Sequence, residues 1–287
     1  METIAVTGGN GTIGAATLTH LAEEGYRTVN LSRGPRKESV ADEYKQVDLL
    51  EAGEVYGALA RSDADAVIHM GTIPEPLTHP GYVTFRSNVL SSYHVLEAGH
   101  ELGLEAVSLA SSINAMGAVF QDAPIEVEYL PVDEAHPVAP RDPYGLAKHV
   151  IEITADGFGR LEDAPRITTL RYPWVCTEAD FHDRFPDPDR GVESISERER
   201  KTLLTYLYLE DAASVARRAV EADIDGHERF WAVATDTTAP VPTNDVVNRL
   251  YSDADRRRDF DGTESLVSTE KARRLLDWHP EHSWRDS

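Results

Sequence analysis

The sequence of 287 residues has little cysteine, little lysine and no long apolar run. Its single cysteine, Cys176, excludes an internal disulfide and a metal site built from cysteines. The histidines are scattered without the spacing of metal ligands, so no metal site is predicted. No run approaches the roughly 20 apolar residues that span a bilayer. No basic segment followed by an apolar stretch opens the chain, so no signal peptide is expected and a cytoplasmic location is favoured.

Positive charge is also scarce. The 28 basic residues include only five lysines and face 50 acidic residues, which gives a formal net charge of −22. Such a charge argues against nucleic acids and anionic membranes as partners, because their phosphates would repel the chain. The acids are spread along the sequence and arginine outnumbers lysine. This pattern favours adaptation to concentrated salt over an acidic surface for one partner, and it predicts a fold that loosens at low salt.

Strand-like and helix-like segments alternate through the first 172 residues, as is typical of a parallel sheet wrapped by helices. The predicted strands are 3–7, 28–31, 45–47, 65–70, 106–110 and 167–172. Helices are predicted between them over 13–24, 51–60, 83–102 and 144–161, and the last two carry apolar residues at three- and four-residue spacing.

The alternation breaks after Pro173. A loop or lid is expected over 176–200, followed by a strand at 203–209, a helix at 211–222, a strand at 229–234 and short helices at 244–251 and 269–276. The sequence therefore predicts an α/β protein with a doubly wound parallel sheet. Residues 1–172, continued by 203–235, form the dinucleotide-binding domain, and 173–202 with 236–287 form a small substrate-binding part.

Three spaced glycines, Gly8, Gly11 and Gly14, follow the first predicted strand and precede a predicted helix. Glycines at this spacing let the backbone turn tightly and approach a pyrophosphate. The unpaired N–H groups and the positive dipole end of the helix would face that anion. The chain is therefore predicted to bind a phosphate-bearing cofactor at its N-terminal end.

Tyr144 and Lys148 lie four residues apart at the start of a predicted helix, and hence on one face of it. An ammonium group near a phenol favours the phenolate, lowers the phenol pKa and creates a base for a substrate hydroxyl. Ser112, at the end of a predicted strand, supplies a hydrogen bond to the same oxygen. These three residues are predicted to be catalytic.

These motifs resemble extended short-chain dehydrogenases/reductases of the NAD-dependent epimerase/dehydratase superfamily, along nearly the whole chain. Further segments carry the resemblance: Val47-Asp48-Leu49, His69-Met70-Gly71, Ala110-Ser111-Ser112 with Gly117, Leu170-Arg171-Tyr172-Pro173, Tyr206 to Asp211, and Ser268 to Ala272. The resemblance implies a Rossmann fold, reversible hydride transfer with nicotinamide and a homodimer formed through the long helices.

The glycine turn and the resemblance together predict the cofactor contacts, which are Gly8, Asn10, Gly11, Thr12, Ile13, Gly14, Ser32, Arg33, Asp48, Leu49, Met70, Gly71, Asn88, Tyr144, Lys148 and Tyr172. Members of this fold that use NAD usually place a carboxylate at the end of the second strand. Here Ser32 and Arg33 stand at that position, with Arg36 and Lys37 close behind. Because arginine pairs with a 2′-phosphate, NADP is favoured over NAD.

The first hypothesis for the reaction is oxidation of an aldose, hexuronate or sugar phosphate at C1, because the part after residue 173 is short for enclosing a nucleotide. Uronate dehydrogenases are the most similar in motif, although Ile113-Asn114 stands where they carry Asn-His. The predicted substrate contacts are Thr72, Ser112, Asn114, Arg200 and Lys201, the last two as a clamp for an anionic group.

Two alternatives remain open at this point. A nucleotide-sugar epimerase would use the same serine, tyrosine and lysine, with Arg171, Arg184 or Arg190 on the substrate diphosphate. A regulator that binds the cofactor without catalysis is the remote alternative, against which the intact set of Ser112, Tyr144 and Lys148 speaks.

Overall fold

The computed structural model describes residues 1–37, 40–122, 125–180, 185 and 191–286. Its strands, in chain order, are β1 (Thr3–Thr7), β2 (Arg27–Ser32), β3 (Glu43–Gln46), β4 (Ala66–His69), β5 (Ala106–Ser112), β6 (Tyr129–Leu130), β7 (Arg166–Tyr172), β8 (Trp174–Cys176), β9 (Tyr206–Tyr208), β10 (His227–Trp231) and β11 (Asp255–Arg256). The helices are α1 (Thr12–Glu23), α2 (Ala52–Ala60), α3 (Gly81–Glu101), α4 (Pro143–Phe158), α5 (Glu197–Lys201), α6 (Leu209–Glu221), α7 (Thr243–Leu250) and α8 (Glu270–Leu276). Short 3₁₀ helices occupy Ile113–Met116, Val192–Ser194 and Trp284–Asp286.

A seven-stranded sheet forms the centre of the molecule, in the order β10-β7-β5-β4-β1-β2-β3 with every neighbouring pair parallel. The strand order reverses direction between β1 and β4, which is the switch point where such sheets bind ligands. The predicted Rossmann-like α/β fold is therefore confirmed.

Alternation along β1 shows why the sheet is covered on both faces. Ile4 and Val6 point into an apolar cluster that α1, α6 and α8 complete. Ala5, between them, points into the opposite cluster, which is completed by α2, α3 and α4. Since successive strand residues face opposite sides, a run that is apolar throughout can only be buried on both sides.

A third apolar cluster lies beside the carboxyl end of the sheet. It joins the segment after β5, the residues around α5, and the chain from Trp231 to Val267. This cluster fixes the position of the elements that follow Pro173 relative to the strand ends.

The region predicted as a strand at 203–209 differs from expectation. Leu203 and Leu204 both have left-handed backbone conformations, with φ of 53° and 52°, so the strand begins only at Tyr206. That strand, β9, pairs with β8 in a separate two-stranded sheet rather than joining the central one. Within the described ranges, no helix combines the length and apolarity needed to cross a membrane.

Candidate active site

A cleft of about 1250 Å³ opens along the carboxyl ends of the central strands. Residues at or just after the ends of five strands line it: Gly8, Ser32, Met70, Ser112 and Tyr172. Pockets for drug-sized ligands measure roughly 300–1,000 Å³, so this cleft has room for a larger molecule.

The glycine turn joins β1 to α1 at the floor of the cleft. Gly8 has a φ of +71°, and a Cβ atom on it would lie 2.7 Å from the Cα of Gly71. A Cβ on Gly14 would collide with the carbonyl of Gly8. No described side chain caps α1, which begins after Gly11, so the first backbone N–H groups of the helix face the cleft without an intrahelical partner. Such a helix end attracts phosphate, and the turn therefore fits a dinucleotide pyrophosphate.

A polar network holds the end of β2 beside this turn. The Ser32 hydroxyl donates to Oδ1 of Asn30 at 2.8 Å and accepts from the backbone N–H of Asn10 at 3.1 Å. The side-chain amide of Asn30 donates to Oδ1 of Asn10 at 3.2 Å. Asn30, buried in β2, escaped the sequence reasoning, although an amide inside the apolar run Val29-Asn30-Leu31 was the available signal.

Arg33 and Asp48 line the end of the cleft where the fold places adenosine. The Arg33 side chain is exposed, whereas Arg36 and Lys37 donate to the carbonyls of Ala41 (3.0 Å) and Asn10 (3.2 Å). Asp48 accepts from the backbone N–H of Leu50 at 3.0 Å through Oδ1. Of the three basic residues Arg33, Arg36 and Lys37, Arg33 is therefore the one that lines the cleft.

The loop after β4 forms the middle of the cleft wall, where Met70, Gly71 and Thr72 line the cavity. Asn88, predicted to touch the cofactor, lies behind the loop instead: it is buried and outside the cleft lining. Its amide accepts from the backbone N–H of Ile73 at 2.7 Å and donates to the carbonyl of Ile73 at 2.9 Å. Asn88 was predicted to contact the cofactor, whereas in the structure it supports the loop after β4.

Ser112, Tyr144 and Lys148 converge at the centre of the cleft. Asp142 caps α4 by accepting the backbone N–H groups of Tyr144 and Gly145, each at 2.9 Å, which fixes the first turn of the helix. Lys148, one turn later, donates through Nζ to the carbonyl of Ala110 at 2.6 Å and to Oγ1 of Thr72 at 3.2 Å. Its Nζ lies 5.5 Å from the centre of the Tyr144 ring.

The phenol of Tyr144 is hydrogen-bonded to the side chain of Ser112, and this bond lowers the phenol pKa. Burial acts in the opposite direction and dominates, raising the pKa of Tyr144 to about 12. The prediction that the site lowers this pKa is therefore wrong for the structure described, because removing a phenolate from water outweighs the favourable contacts.

Burial also governs Lys148. It lowers the pKa of the Lys148 ammonium to about 7, against the attraction of the Glu152 carboxylate one helical turn further on. Glu152 is itself held by Arg171, whose Nε and Nη2 donate to its two oxygens at 2.8 and 2.7 Å. The lysine thus changes its charge near neutral pH.

The lining of the cleft around these groups determines what a substrate would meet. Thr72 and Asn114, two of the predicted substrate contacts, both line the cleft. Thr72 is hydrogen-bonded to Lys148 and Asn114 to Ser112. The described lining also includes aromatic and hydroxylated side chains, two acids and one arginine: Phe120, Trp174, Phe185, Thr202, Thr205, Thr238, Glu75, Glu199 and Arg198.

The predicted anion clamp does not face this space. Arg200 and Lys201 line a second cavity on the other side of α5. Arg200 donates to the carbonyl of Leu250 at 3.1 Å, and Lys201 to that of Gln121 at 2.8 Å. Because successive residues of a short helix point in different directions, it is Arg198 that reaches the cleft.

None of the three arginines predicted to bind a substrate diphosphate is found in the described lining of the cleft. Arg171 is buried in its pair with Glu152 and does not line the cleft. Arg184 and Arg190 lie outside the described residues. Cys176 is buried, with its thiol 3.3 Å from the carbonyl of Leu207, and among the described residues no group of His, Cys, Asp or Glu could hold a metal.

The fold and the cleft together define a Rossmann protein with a serine, a tyrosine and a lysine beside a dinucleotide-binding turn. The chain belongs to the NAD dependent epimerase/dehydratase family, whose model matches residues 4–234.

Among curated relatives, a UDP-glucose 4-epimerase of Rhizobium meliloti (strain 1021) is 25% identical over 321 residues, covering 97% of this chain and 92% of that protein. A short-chain dehydrogenase/reductase superfamily protein of Agrobacterium tumefaciens with bound NAD has a TM-score of 0.73 at 19% identity, covering 99% of this chain and 94% of that one. A mutated uronate dehydrogenase has a TM-score of 0.68 at 22% identity, covering 99% of this chain and 84% of that one. At these identities the two structures show the fold alone.

Proposed function

We propose that the protein is an NAD(P)-dependent dehydrogenase that oxidises a free, uncharged aldose at C1 to its lactone. Membership of the family supports an enzyme of this general chemistry. The convergence of Ser112, Tyr144 and Lys148 in one cleft supports a catalytic rather than a regulatory protein.

The observation that carries the choice of substrate is the charge of the cleft lining other than Arg33 and Asp48. Besides Lys148, this described lining includes one further cation, Arg198, and two acids, Glu75 and Glu199. A uronate carboxylate, a sugar phosphate or a nucleotide diphosphate would therefore meet no excess of positive charge among these side chains, and the two carboxylates would disfavour its binding in a partly desolvated site. Hydroxyl and aromatic groups, such as those of Thr202, Thr205 and Trp174, suit a neutral sugar instead.

The reaction divides between the cofactor and the chain. Bound NAD(P) would lie along the glycine turn, Asp48 and the Gly71 loop, and would supply the hydride acceptor. Tyr144, as a phenolate, takes the proton of the C1 hydroxyl while the C1 hydride leaves and the carbonyl forms. Ser112 orients the same oxygen, and Lys148, as an ammonium, stabilises the phenolate that this step requires.

Arg33 supports NADP as the preferred cofactor. It lines the adenosine end of the cleft with its side chain exposed, where a 2′-phosphate would lie. A guanidinium pairs with that phosphate through charge-assisted hydrogen bonds. Arg33→Gln should therefore raise KM for NADP by about tenfold or more while KM for NAD changes little, and equal effects on both would remove this role.

The substrate is tested by nucleotide reduction in concentrated salt, with neutral aldoses, their uronate and phosphate analogues, and NAD or NADP. The proposal expects reduction with one neutral aldose and a kcat/KM at least about tenfold lower for its charged analogues. Arg198→Gln is the matched variant. If a charged sugar is preferred and this variant selectively raises its KM, the dehydrogenase assignment stands and the uncharged substrate is wrong.

A nucleotide-sugar 4-epimerase is the second candidate, because the R. meliloti relative covers almost the whole chain. It is tested by incubating the protein with UDP-glucose and following conversion to UDP-galactose. If UDP-glucose is converted without net reduction of NAD or NADP, and no free sugar is oxidised, the protein is an epimerase and the dehydrogenase assignment is wrong.

A further inference from the structure

His69 ends β4 directly beneath the cofactor cleft and is fully buried. Its Nδ1 lies 2.7 Å from the hydroxyl of Thr7, the last residue of β1. Its Nε2 lies 3.4 Å from the hydroxyl of Ser91 on α3. The imidazole thus joins the strand before the glycine turn to the helix behind the cofactor loop, and the proposed reaction gives it no role.

The surrounding donors determine which ring nitrogen carries the proton. The Thr7 hydroxyl accepts the backbone N–H of Gly71 at 3.1 Å, so its own proton is available for Nδ1 of His69. The Ser91 hydroxyl donates to the carbonyl of Asn88 at 3.3 Å, so it accepts from Nε2. With the proton on Nε2 every donor in this series has an acceptor, whereas a proton on Nδ1 would leave the Thr7 hydroxyl without one among these contacts.

The surroundings also keep the ring neutral. Burial lowers the pKa of His69 to about 3, and the nearby Lys148 ammonium acts in the same direction. The side chains that face the ring in these contacts, Thr7 and Ser91, are uncharged. The hydrogen-bond series therefore has one fixed direction throughout the physiological pH range.

The hydrogen-bond series ends on the loop after β4, which lines the cofactor cleft and is hydrogen-bonded to Lys148. Thr7 holds two successive amides of that loop, since its carbonyl accepts from Met70 at 3.1 Å and its hydroxyl from Gly71 at 3.1 Å. Gly71 sits so near Gly8 that no Cβ fits between them. The next residue, Thr72, accepts from Nζ of Lys148 at 3.2 Å.

We propose that His69 is a positioning residue of the cofactor site: a neutral imidazole, protonated on Nε2, that fixes the Thr7 hydroxyl and through it the Gly71 loop. The inference rests on cofactor binding in the cleft and not on the identity of the sugar. It assigns no contact between His69 and the cofactor or substrate.

Two amide variants distinguish this role from simple packing. Asparagine places its carbonyl oxygen near the position of Nδ1 and retains the acceptor for Thr7, whereas glutamine places its amide near Nε2 and retains only the contact with Ser91. The dissociation constant of the cofactor, measured by calorimetry without any sugar, should rise about tenfold or more in His69→Gln and by only a few-fold in His69→Asn.

Thr7→Val should raise the dissociation constant of the cofactor as much as His69→Gln does. The double variant should bind the cofactor no more weakly than either single variant, because both substitutions remove the same hydrogen bond between Thr7 and His69. Ser108→Ala, on the neighbouring strand β5, is the matched control: it removes a buried hydroxyl that has no hydrogen-bond partner among the described residues, and it should leave cofactor binding unchanged. Equal binding by both His69 variants, or additive losses in the double variant, would overturn the proposal.

The wild-type protein offers an independent test should the variants fail to fold. Nitrogen NMR of the imidazole should show Nε2 protonated and Nδ1 unprotonated, without change between about pH 5 and 8. A proton on Nδ1, or a titration in this range, would overturn the proposal. Because neither experiment uses a sugar, both outcomes are separate from the success or failure of the proposed dehydrogenase.

Discussion

Asn114 donates two hydrogen bonds to the hydroxyl oxygen of Ser112, one from its backbone N–H at 3.2 Å and one from its side-chain amide at 3.1 Å. The orientation of that amide is fixed, because its Oδ1 accepts the backbone N–H of Val119 at 3.0 Å. With its oxygen occupied by these donors, Ser112 directs its own proton to Tyr144. This is the direction that favours the phenolate.

Substituting Asn114 should therefore slow the chemical step without lowering the affinity for the cofactor. Asn114→Ala removes one donor to Ser112, and we expect kcat to fall about tenfold, the effect of about 1 kcal/mol or somewhat more. The kcat of Asn114→Asp should fall further, since a carboxylate would attract the Ser112 proton away from Tyr144. Steady-state kinetics with calorimetric cofactor binding measures both, and unchanged kcat in the two variants would contradict this role.

Tyr144→Phe should abolish most turnover while the chain still binds the cofactor. Loss of a positioned general base typically costs a factor of about 100 to 10,000 in rate. The phenylalanine ring retains the edge-to-face contact with Phe120, whose centroid lies 5.7 Å away, so the fold should be preserved. Near-normal kcat with an unchanged melting temperature would exclude Tyr144 as the base.

Much of this site could be predicted from the sequence because local chemistry determines it. A glycine turn between a strand and a helix, and a tyrosine and a lysine four residues apart, have few other uses in that context. The alternation of strands and helices similarly sufficed for the parallel sheet, since apolar periodicity follows directly from burial on two faces.

What sequence reasoning missed depends on direction and burial, which spacing does not determine. Arg198, Arg200 and Lys201 lie within one helical turn, and only the folded chain shows that the first faces the cleft. Asn88 was assigned to the cofactor, yet it supports the loop from behind. The raised pKa of Tyr144 likewise follows from burial, a property of the tertiary structure.

The pH dependence of oxidation should reflect Tyr144 and Lys148 as one titrating pair. Burial lowers the pKa of Lys148 to about 7 and raises the pKa of Tyr144 to about 12, so we expect the pair to lose its first proton near neutral pH and its second only in strong alkali. The reactive form, an ammonium with a phenolate, holds one proton in total and is populated in constant proportion between those values. We expect kcat/KM to rise through about pH 7 and then to stay level.

Lys148→Met is the matched variant for this profile. Without the lysine, the remaining activity should increase steadily with pH towards the Tyr144 pKa of about 12, because the phenol then titrates alone. The two profiles are measured with saturating cofactor in concentrated salt. A wild-type profile that climbs steadily above neutrality would show that the two groups are not coupled.

The exposed apolar side chains of α3 and α4 predict a homodimer. Tyr82, Phe85 and Tyr93 on α3 are exposed, as are Leu146 and Ile153 on the adjacent α4. Several exposed apolar side chains on a pair of packed helices are typical of a subunit interface. Light scattering should give twice the chain mass of 31.7 kDa. Phe85→Asp with Ile153→Asp should halve that mass while helix content is retained, and a wild-type monomer would contradict the prediction.

Salt should determine whether the chain stays folded at all. A net charge of −22 on 287 residues opposes compaction, and the Debye length shrinks from about 10 Å at 0.1 M salt to about 3 Å at 1 M. We expect the melting temperature to fall progressively as KCl is diluted from molar to millimolar concentration, with the transition followed by tryptophan fluorescence. Sucrose at matched osmolality is the control, because it favours compact states by exclusion from the surface without screening charge. If sucrose restores the melting temperature as well as KCl does, charge repulsion is not the cause, and if dilution has no effect, the acidic composition serves some purpose other than adaptation to salt.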